Sequence, residues 1–235
     1  MNYSPNKPLI SLHIPKCAGT SLTNVLRHWF GRGLRLHYND EKNNCMPQKY
    51  QAGRFSFMSL RKSPICIHGH FNRDRGYGVE QYYPNAEQFI TVLRDPFDLH
   101  ISNYFYVLQQ AKLDGAGAYR NGQMHEILRE NWSLDDFLKN KKTSHLLTFL
   151  PEELTMENYR EILDRKFLYV GLTEELQHTV DGLAKLLGFD SVQVPLENVS
   201  SKPREVPLGS RELFEENNPL VSAIYNHVKH LRSCD

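Results

Sequence analysis

The sequence is poor in cysteine and has no cysteine pair. Four cysteines are spread over 235 residues, at positions 17, 45, 66 and 234, and none belongs to a CxxC motif. This spacing argues against a disulfide scaffold or a zinc knuckle, which need numerous or closely spaced cysteines. Free thiols in a reducing compartment are therefore expected.

A long apolar run and an excess of charge are also missing. No window of about 18 apolar residues occurs, and the start, "MNYSPNKPLISLHIPK", lacks the apolar core of a signal peptide. The 28 lysines and arginines nearly balance 27 acidic residues, which leaves no global field for nucleic acid or an anionic membrane. We expect a soluble, cytoplasmic protein with one domain over residues 1–235, no nucleic-acid partner and no membrane insertion.

Short apolar runs alternate with helical patterns along the chain. The runs suit strands buried on both faces; they are LISLHI (9–14), ICIH (65–68), QFITVLR (88–94) and KFLYVG (166–171). Apolar residues at helical spacing follow in segments 22–30, 95–113 and 173–188 and from Pro219. This alternation predicts a three-layer α/β fold. Polar insertions at 32–63 and 114–131 are candidates for substrate-facing segments.

The loop after the first predicted strand reads PKCAGTSL. A helix N-terminus at the carboxyl end of a strand is a site for phosphate or sulfate. Lys16 supplies a positive charge, and Gly19 lets the backbone approach the ligand closely. Thr20 and Ser21 supply hydroxyl groups. The loop is neither a Walker loop nor GxGxxG, which disfavours an ordinary ATPase or dehydrogenase. The alternative is a plain turn in which Ser21 caps the helix and Lys16 is solvated.

A second pattern places Arg94 at the end of a predicted strand and Ser102 two turns into the next helix. A guanidinium fork and a hydroxyl at this spacing can converge on one anion. Asp95 and Pro96 suit the N-cap and the first position of that helix. The alternative is that Arg94 pairs with Asp95 or Asp98 and that Ser102 is a surface residue.

A third pattern, "ICIHGHF", puts His68 and His70 on the same side of an extended segment. A neutral imidazole, with an unperturbed pKa near 6.5, can take a proton from an attacking hydroxyl. A metal site is less favoured, because HxHxDH is absent and no third ligand is evident. A hydrogen-bonded core histidine is the other alternative, especially for His68.

These three segments together resemble one known family. HIPKCAGTSL resembles the 5′-phosphosulfate loop of sulfotransferases that use 3′-phosphoadenosine 5′-phosphosulfate (PAPS), in particular their carbohydrate-modifying branch. RDP followed by Ser102 and Tyr104 resembles the family's 3′-phosphate segment. HGH resembles the uronyl and heparan sulfate 2-O-sulfotransferase group. The resemblance implies a P-loop-like central parallel sheet flanked by helices.

The resemblance also implies roles for residues of this chain. The backbone and hydroxyls of Cys17, Ala18, Gly19, Thr20 and Ser21 would hold the 5′-phosphate, with Lys16 near the bridging oxygen. Arg94 and Ser102 would hold the 3′-phosphate. Lys202 or Arg204, in a late loop, could reach a phosphate; the alternative is that both are solvated loop charges. His70 would be the base, and His68 its neighbour in the acceptor site. Cys17 has no catalytic role in this hypothesis.

The expected function is transfer of a sulfuryl group from PAPS to an acceptor hydroxyl, on a saccharide or another hydroxyl-bearing molecule, without a metal. Two alternatives stay open at this point. One is a P-loop-like kinase that uses ATP; the other is a binding protein for nucleotide or glycan that has the fold but no turnover. The sequence does not define the acceptor or the oligomeric state.

Overall fold

Five parallel strands form the central sheet. The computed structural model describes residues 2–39, 48–50, 64–113, 119–120, 123–140, 146–194 and 206–233. The strands are β1 (Leu9–Leu12), β2 (Leu34–His37), β3 (Cys66–Gly69), β4 (Phe89–Leu93), β5 (Tyr119–Arg120), β6 (Gln123–Met124) and β7 (Phe167–Leu172). The sheet order is β2-β3-β1-β4-β7, with all neighbours parallel, while β5 and β6 form a separate antiparallel pair. Strand β1 therefore lies at the centre.

Helices cover both faces of the sheet. They are α1 (Gly19–Phe30), α2 (Val79–Tyr82), α3 (Pro96–Leu113), α4 (Glu126–Arg129), α5 (Leu134–Asn140), α6 (Tyr159–Lys166), α7 (Leu176–Leu187), α8 (Ser210–Asn217) and α9 (Pro219–Arg232). Helices α1 and α7 pack on one face, and α3, α6, α8 and α9 contribute to the core on the other. Within the described ranges, no helix is long and apolar enough to cross a bilayer.

Two hydrophobic cores explain the uninterrupted apolar runs. Leu9 packs with α1 and α7, whereas the next residue, Ile10, packs in the core on the opposite face. Successive residues of a strand point to opposite faces, so a strand covered on both sides has no polar face. The predicted α/β class, with three layers and a parallel sheet flanked by helices, is confirmed.

Helix and strand ends follow the sequence signals with two differences. Asp95 accepts the Asp98 amide at 2.9 Å as the predicted cap of α3, and Gly188 ends α7 in a left-handed conformation. Thr173 is not the cap of α7, because that helix begins at Leu176. The hydroxyl of Thr173 donates instead to the carbonyl oxygen of Leu93 at 2.9 Å. Strand β2 lies in the insertion 32–63, where no strand was predicted. Much of that insertion, and part of 114–131, lies outside the described residues.

Candidate active site at the carboxyl edge of the sheet

Residues 13–18 join β1 to α1, and the start of the helix has no side-chain cap. Ala18 occupies the N-cap position, and no described side chain accepts a hydrogen bond there. The first turn contains no acidic residue. A cap by Ser21 is wrong, because Ser21 lies inside the first turn and is buried. The amide groups of this turn, together with the positive end of the helix dipole, suit a bound anion.

Two residues of this loop have a backbone conformation that favours glycine. The φ angle is 68° at Lys16 and 52° at Ala18. A left-handed conformation costs an L-residue with a Cβ about 1–2 kcal/mol. A left-handed residue followed by a helical one also turns neighbouring N–H groups toward a common point, which is a feature of anion-binding loops. The strain thus lies where the uncapped helix begins.

Replacing Ala18 by glycine is expected to stabilise the fold by about 0.5–1 kcal/mol, since relief of strain exceeds the added entropy of the unfolded chain. Urea unfolding measures this change. The matched substitution Ala223→Gly, inside α9, is expected to lower stability by about 1 kcal/mol. Equal losses in both variants would contradict a strained Ala18.

Two cationic side chains border the loop. Lys16 Nζ lies 4.7 Å from the ring centroid of Tyr106 in α3. Arg94, which follows β4, donates from Nη1 to the carbonyl oxygen of Lys16 at 3.3 Å. Ser102 lies one helical turn before Tyr106 and therefore on the same side of α3. The structure thus brings Lys16, Arg94 and the Ser102 side of α3 to one edge of the sheet.

The acidic residues next to Arg94 are engaged by another cation. Arg211 of α8 pairs with Asp95 at 2.8 Å and with Asp98 at 3.1 Å. Among the residues that the structure describes, Arg94 forms no ion pair. Neither Asp95 nor Asp98 therefore forms an ion pair with Arg94, although desolvation and Asp95 raise the pKa of Asp98 and the charges of Arg211 and Arg94 oppose that rise. The guanidinium group of Arg94 remains suited to an anion that is not part of the chain.

Cys17 lies between the two strained residues, but its side chain points into the protein. It is 2% exposed. Burial raises the pKa of its thiol to about 12, against the opposing effect of Arg94. A thiol of this kind is neither a nucleophile nor an anion ligand at neutral pH. Only the backbone of Cys17 can contribute to the loop's predicted function.

Strands β1 and β3 place polar side chains together on the face that α1 covers. Ser11 of β1 lies opposite His68 of β3 in the parallel register. Side chains repeat every two residues along a strand, which puts His13 and His70 on the same face just beyond the strand ends. The ring centroids of His13 and His70 are 4.4 Å apart. The predicted orientation of His68 and His70 toward one side is confirmed.

His68 is fully enclosed and both of its ring nitrogens have partners. Its Nδ1 lies 2.9 Å from Ser11 Oγ and its Nε2 lies 3.1 Å from Thr23 Oγ1. The Thr23 hydroxyl donates to Gly19 O at 2.7 Å, so it accepts from His68 Nε2–H, and Nδ1 accepts from Ser11. His68 thus connects β1, β3 and the first turn of α1.

His13 lies directly over the start of α1. A Cβ added to Gly19 would lie 1.6 Å from His13 Nε2 and 2.0 Å from Cε1, so only glycine fits beneath the ring. His13 Nδ1 lies 2.8 Å from the hydroxyl of Tyr38 and 3.0 Å from His70 Nε2. Its ring stacks on His68 at 5.2 Å with an interplanar angle of 11°.

Burial keeps two of these histidines neutral. Desolvation, and next the neighbouring His68, lower the pKa of His13 to about 3. Desolvation, and next the neighbouring His70, lower the pKa of His68 to about 3. Desolvation likewise raises the pKa of Tyr38 to about 12, which keeps its hydroxyl protonated. The cluster therefore presents neutral hydrogen-bonding groups beside a cationic loop.

Other residues singled out from the sequence lie elsewhere. Lys202 is outside the described residues. Tyr104, which matches the family's tyrosine, is buried away from the loop and donates to Trp132 O at 3.0 Å. Glu174 accepts the Asp95 amide at 2.8 Å, a structural role. No described group of three or more His, Cys, Asp or Glu residues is arranged to hold a metal ion.

Sequence reasoning missed His13, Tyr38 and Tyr106 as members of the site. His13 carried one usable signal: it follows Ser11 by two residues at the end of a buried strand, and therefore shares its face. Tyr38 and Tyr106 carried none, because the first follows an unpredicted edge strand and the second is an exposed residue of a long helix.

Comparison with known proteins gives a distant structural likeness. No protein-family model matches the chain, and no curated protein is similar to it. Among solved structures, a match is the crystal structure of mouse sulfotransferase SULT7A1 complexed with PAP. The two chains are 15% identical and superpose with a TM-score of 0.42. The alignment covers 82% of this chain but only 62% of the mouse protein. A likeness at this level assigns neither residues nor activity.

Proposed function

We propose that this protein is a PAPS-dependent sulfotransferase that transfers a sulfuryl group to an acceptor hydroxyl, and that the acceptor is a saccharide. The observation that carries the proposal is the uncapped N-terminus of α1, with Lys16 and Arg94 at its border and His70 one strand away. An anion-binding group and a candidate base therefore lie side by side. The resemblance of the three sequence segments supports the same function.

The residues present fit a nucleotide with two separate phosphate groups. The loop of residues 16–21 offers amides and a cation to the 5′-phosphate. Arg94, with no carboxylate partner among the described residues, and Ser102 on the neighbouring helix offer a second anion site for the 3′-phosphate. Lys202 remains a proposed further contact. A nucleotide without the 3′-phosphate would leave Arg94 without its anion.

PAPS supplies the sulfuryl group when it is bound. His70 takes the proton of the acceptor hydroxyl as that oxygen attacks sulfur, and the bond from sulfur to the phosphate oxygen breaks. Lys16 neutralises the negative charge that grows on the departing phosphate. His68 positions these groups, because its bonds to Ser11 and Thr23 fix the start of α1 relative to β3. No metal is required for this chemistry, which depends on positioning and electrostatic stabilisation.

The test is thermal stabilisation by adenosine 3′,5′-bisphosphate (PAP) compared with AMP and ATP. At a hundred times its Kd, a ligand adds about 2.7 kcal/mol of stability, which corresponds to a rise in Tm of roughly 5–10 °C for a chain of this size. PAP is expected to give this shift, and AMP, which lacks only the 3′-phosphate, a much smaller one.

The variant Arg94→Gln supplies the matched control for this measurement. Its Tm shift with PAP is expected to fall to that seen with AMP, because the 3′-phosphate would lose the guanidinium group that is proposed to hold it. A preference for ATP over PAP would support the kinase alternative and refute the proposal. Binding of PAP without any consumption of PAPS would instead indicate a binding protein.

A further inference from the structure

The ring of His13 occupies the space between the two halves of the site. On one side it lies over Gly19, the first residue of α1. On the other side it contacts His70 and Tyr38 through Nδ1. The ring of His13 also stacks nearly parallel on the ring of His68. His13 therefore contacts both the first residue of α1 and His70.

The neighbours of His13 Nδ1 favour one position for its proton. Tyr38 keeps its hydroxyl proton and can donate it to Nδ1 at 2.8 Å. His70 Nε2 can donate to the same nitrogen at 3.0 Å. A neutral imidazole that accepts at Nδ1 carries its hydrogen on Nε2. That hydrogen is then on the side of the ring that lies over Gly19.

The Nε2 atom of His13 forms no hydrogen bond within the described residues. The hydrogen bonds of this ring there all involve Nδ1, and Nε2 is not among the fully enclosed polar atoms that lack a partner. It lies against the first residue of the uncapped helix. A donor in this position can serve an anionic oxygen located between the helix N-terminus and His70.

We propose that His13 is a further catalytic residue of this site, whose Nε2–H donates to an oxygen of the sulfuryl group during transfer. This inference rests on the proposed function. Sulfur lies between the departing phosphate oxygen and the attacking hydroxyl, and His13 lies between the groups that hold these two atoms. Its neutral state suits a hydrogen-bond donor, because burial lowers the pKa of His13 and keeps the ring uncharged.

Two substitutions separate this role from simple support of the fold. In His13→Gln the side-chain amide nitrogen reaches the position of Nε2 and keeps a donor there. In His13→Asn the shorter amide reaches only the position of Nδ1. The dissociation constants of PAPS and PAP, measured by calorimetry, report on the contact, since PAPS differs from PAP by the sulfuryl group alone.

His13→Asn is expected to weaken binding of PAPS by about tenfold or more, the loss of one hydrogen bond to a charged group, and to leave PAP binding unchanged. His13→Gln should retain the wild-type preference for PAPS. Equal weakening of both nucleotides in His13→Asn, or equal behaviour of the two variants, would assign His13 to structural support and overturn the inference. Wild-type protein that binds neither nucleotide would refute the proposed function instead.

The tautomer of His13 is a second readout that needs no nucleotide. In protein labelled with ¹⁵N-histidine, the imidazole nitrogen shifts show which nitrogen carries the proton, and the His13→Asn spectrum identifies the His13 signals. The proton is expected on Nε2 at neutral pH. A proton on Nδ1 would leave no donor over Gly19 and would overturn the inference regardless of any activity.

Discussion

Replacing Lys16 by methionine is expected to slow sulfuryl transfer by about 10²–10³-fold, the usual effect of removing one preorganised electrostatic group from a transition state. Methionine has a Cβ and a side chain of similar length, so the left-handed backbone at φ 68° is equally strained and the side chain can still pack on Tyr106. The change therefore removes the positive charge, and with it the cation–π contact with Tyr106, but keeps the size of the side chain. Turnover is measured as sulfate released from PAPS to water, which requires no identified acceptor.

Lys7→Met is the matched control for that experiment. Lys7 is exposed and forms an ion pair with Glu87, outside the site, and its loss changes the net charge by the same amount. Its rate of sulfate release should equal that of the wild type, because a surface pair contributes little. If Lys16→Met and Lys7→Met were equally active, Lys16 would have no role at the departing phosphate.

Replacing Gly69 by alanine is expected to cost about 3 kcal/mol or more of stability, at the upper end of the range for overpacking. A Cβ at this position would lie 1.8 Å from the carbonyl oxygen of His37, an atom of the backbone of β2. That carbonyl accepts the amide of His70 at 3.0 Å. The strand, the bond and the orientation of His70 would all have to change.

The variant Gly76→Ala is the control for Gly69→Ala, because it tests the cost of backbone conformation without steric overlap. At Gly76 a Cβ would meet nothing within 4 Å, but φ is 78°, so alanine should cost only about 1–2 kcal/mol for its left-handed conformation. Urea unfolding of both variants gives the comparison. Equal losses would show that β2 adjusts to Gly69→Ala without difficulty and that the close approach to His37 is unimportant.

The central strands could be predicted from the sequence because a strand that is buried on both faces is an uninterrupted run of apolar residues. The predicted run 88–94 contains the observed strand Phe89–Leu93, which is buried throughout. Strand β2 gave no such signal. It is four residues long, lies at the sheet edge, and leaves Leu36 exposed, so neither alternation nor a buried run distinguished it from the polar insertion around it.

The candidate site was predictable where its function depends on local order along the chain. A helix N-terminus after a buried strand can be predicted from PKCAGTS, and the structure has that arrangement, although without the side-chain cap that the hydroxyl residues could have supplied. The contact between His13 and Gly19 was not predictable, because it depends on how the ring folds back over its own loop. The partners of His68 were also hidden, since Ser11 and Thr23 come from two other elements.

In the sulfotransferase that we propose, the neighbouring positions of β1 and β3 limit how the range of acceptors can change. Adjacent strands are about 4.8 Å apart and cannot separate without loss of their hydrogen bonds, among them His13 N–H to Gly69 O at 2.9 Å. A bulkier acceptor therefore cannot be accommodated by widening the gap between the two strands. New acceptor preferences would have to arise in the segments that surround this edge, while the distance between the reacting groups stays constant.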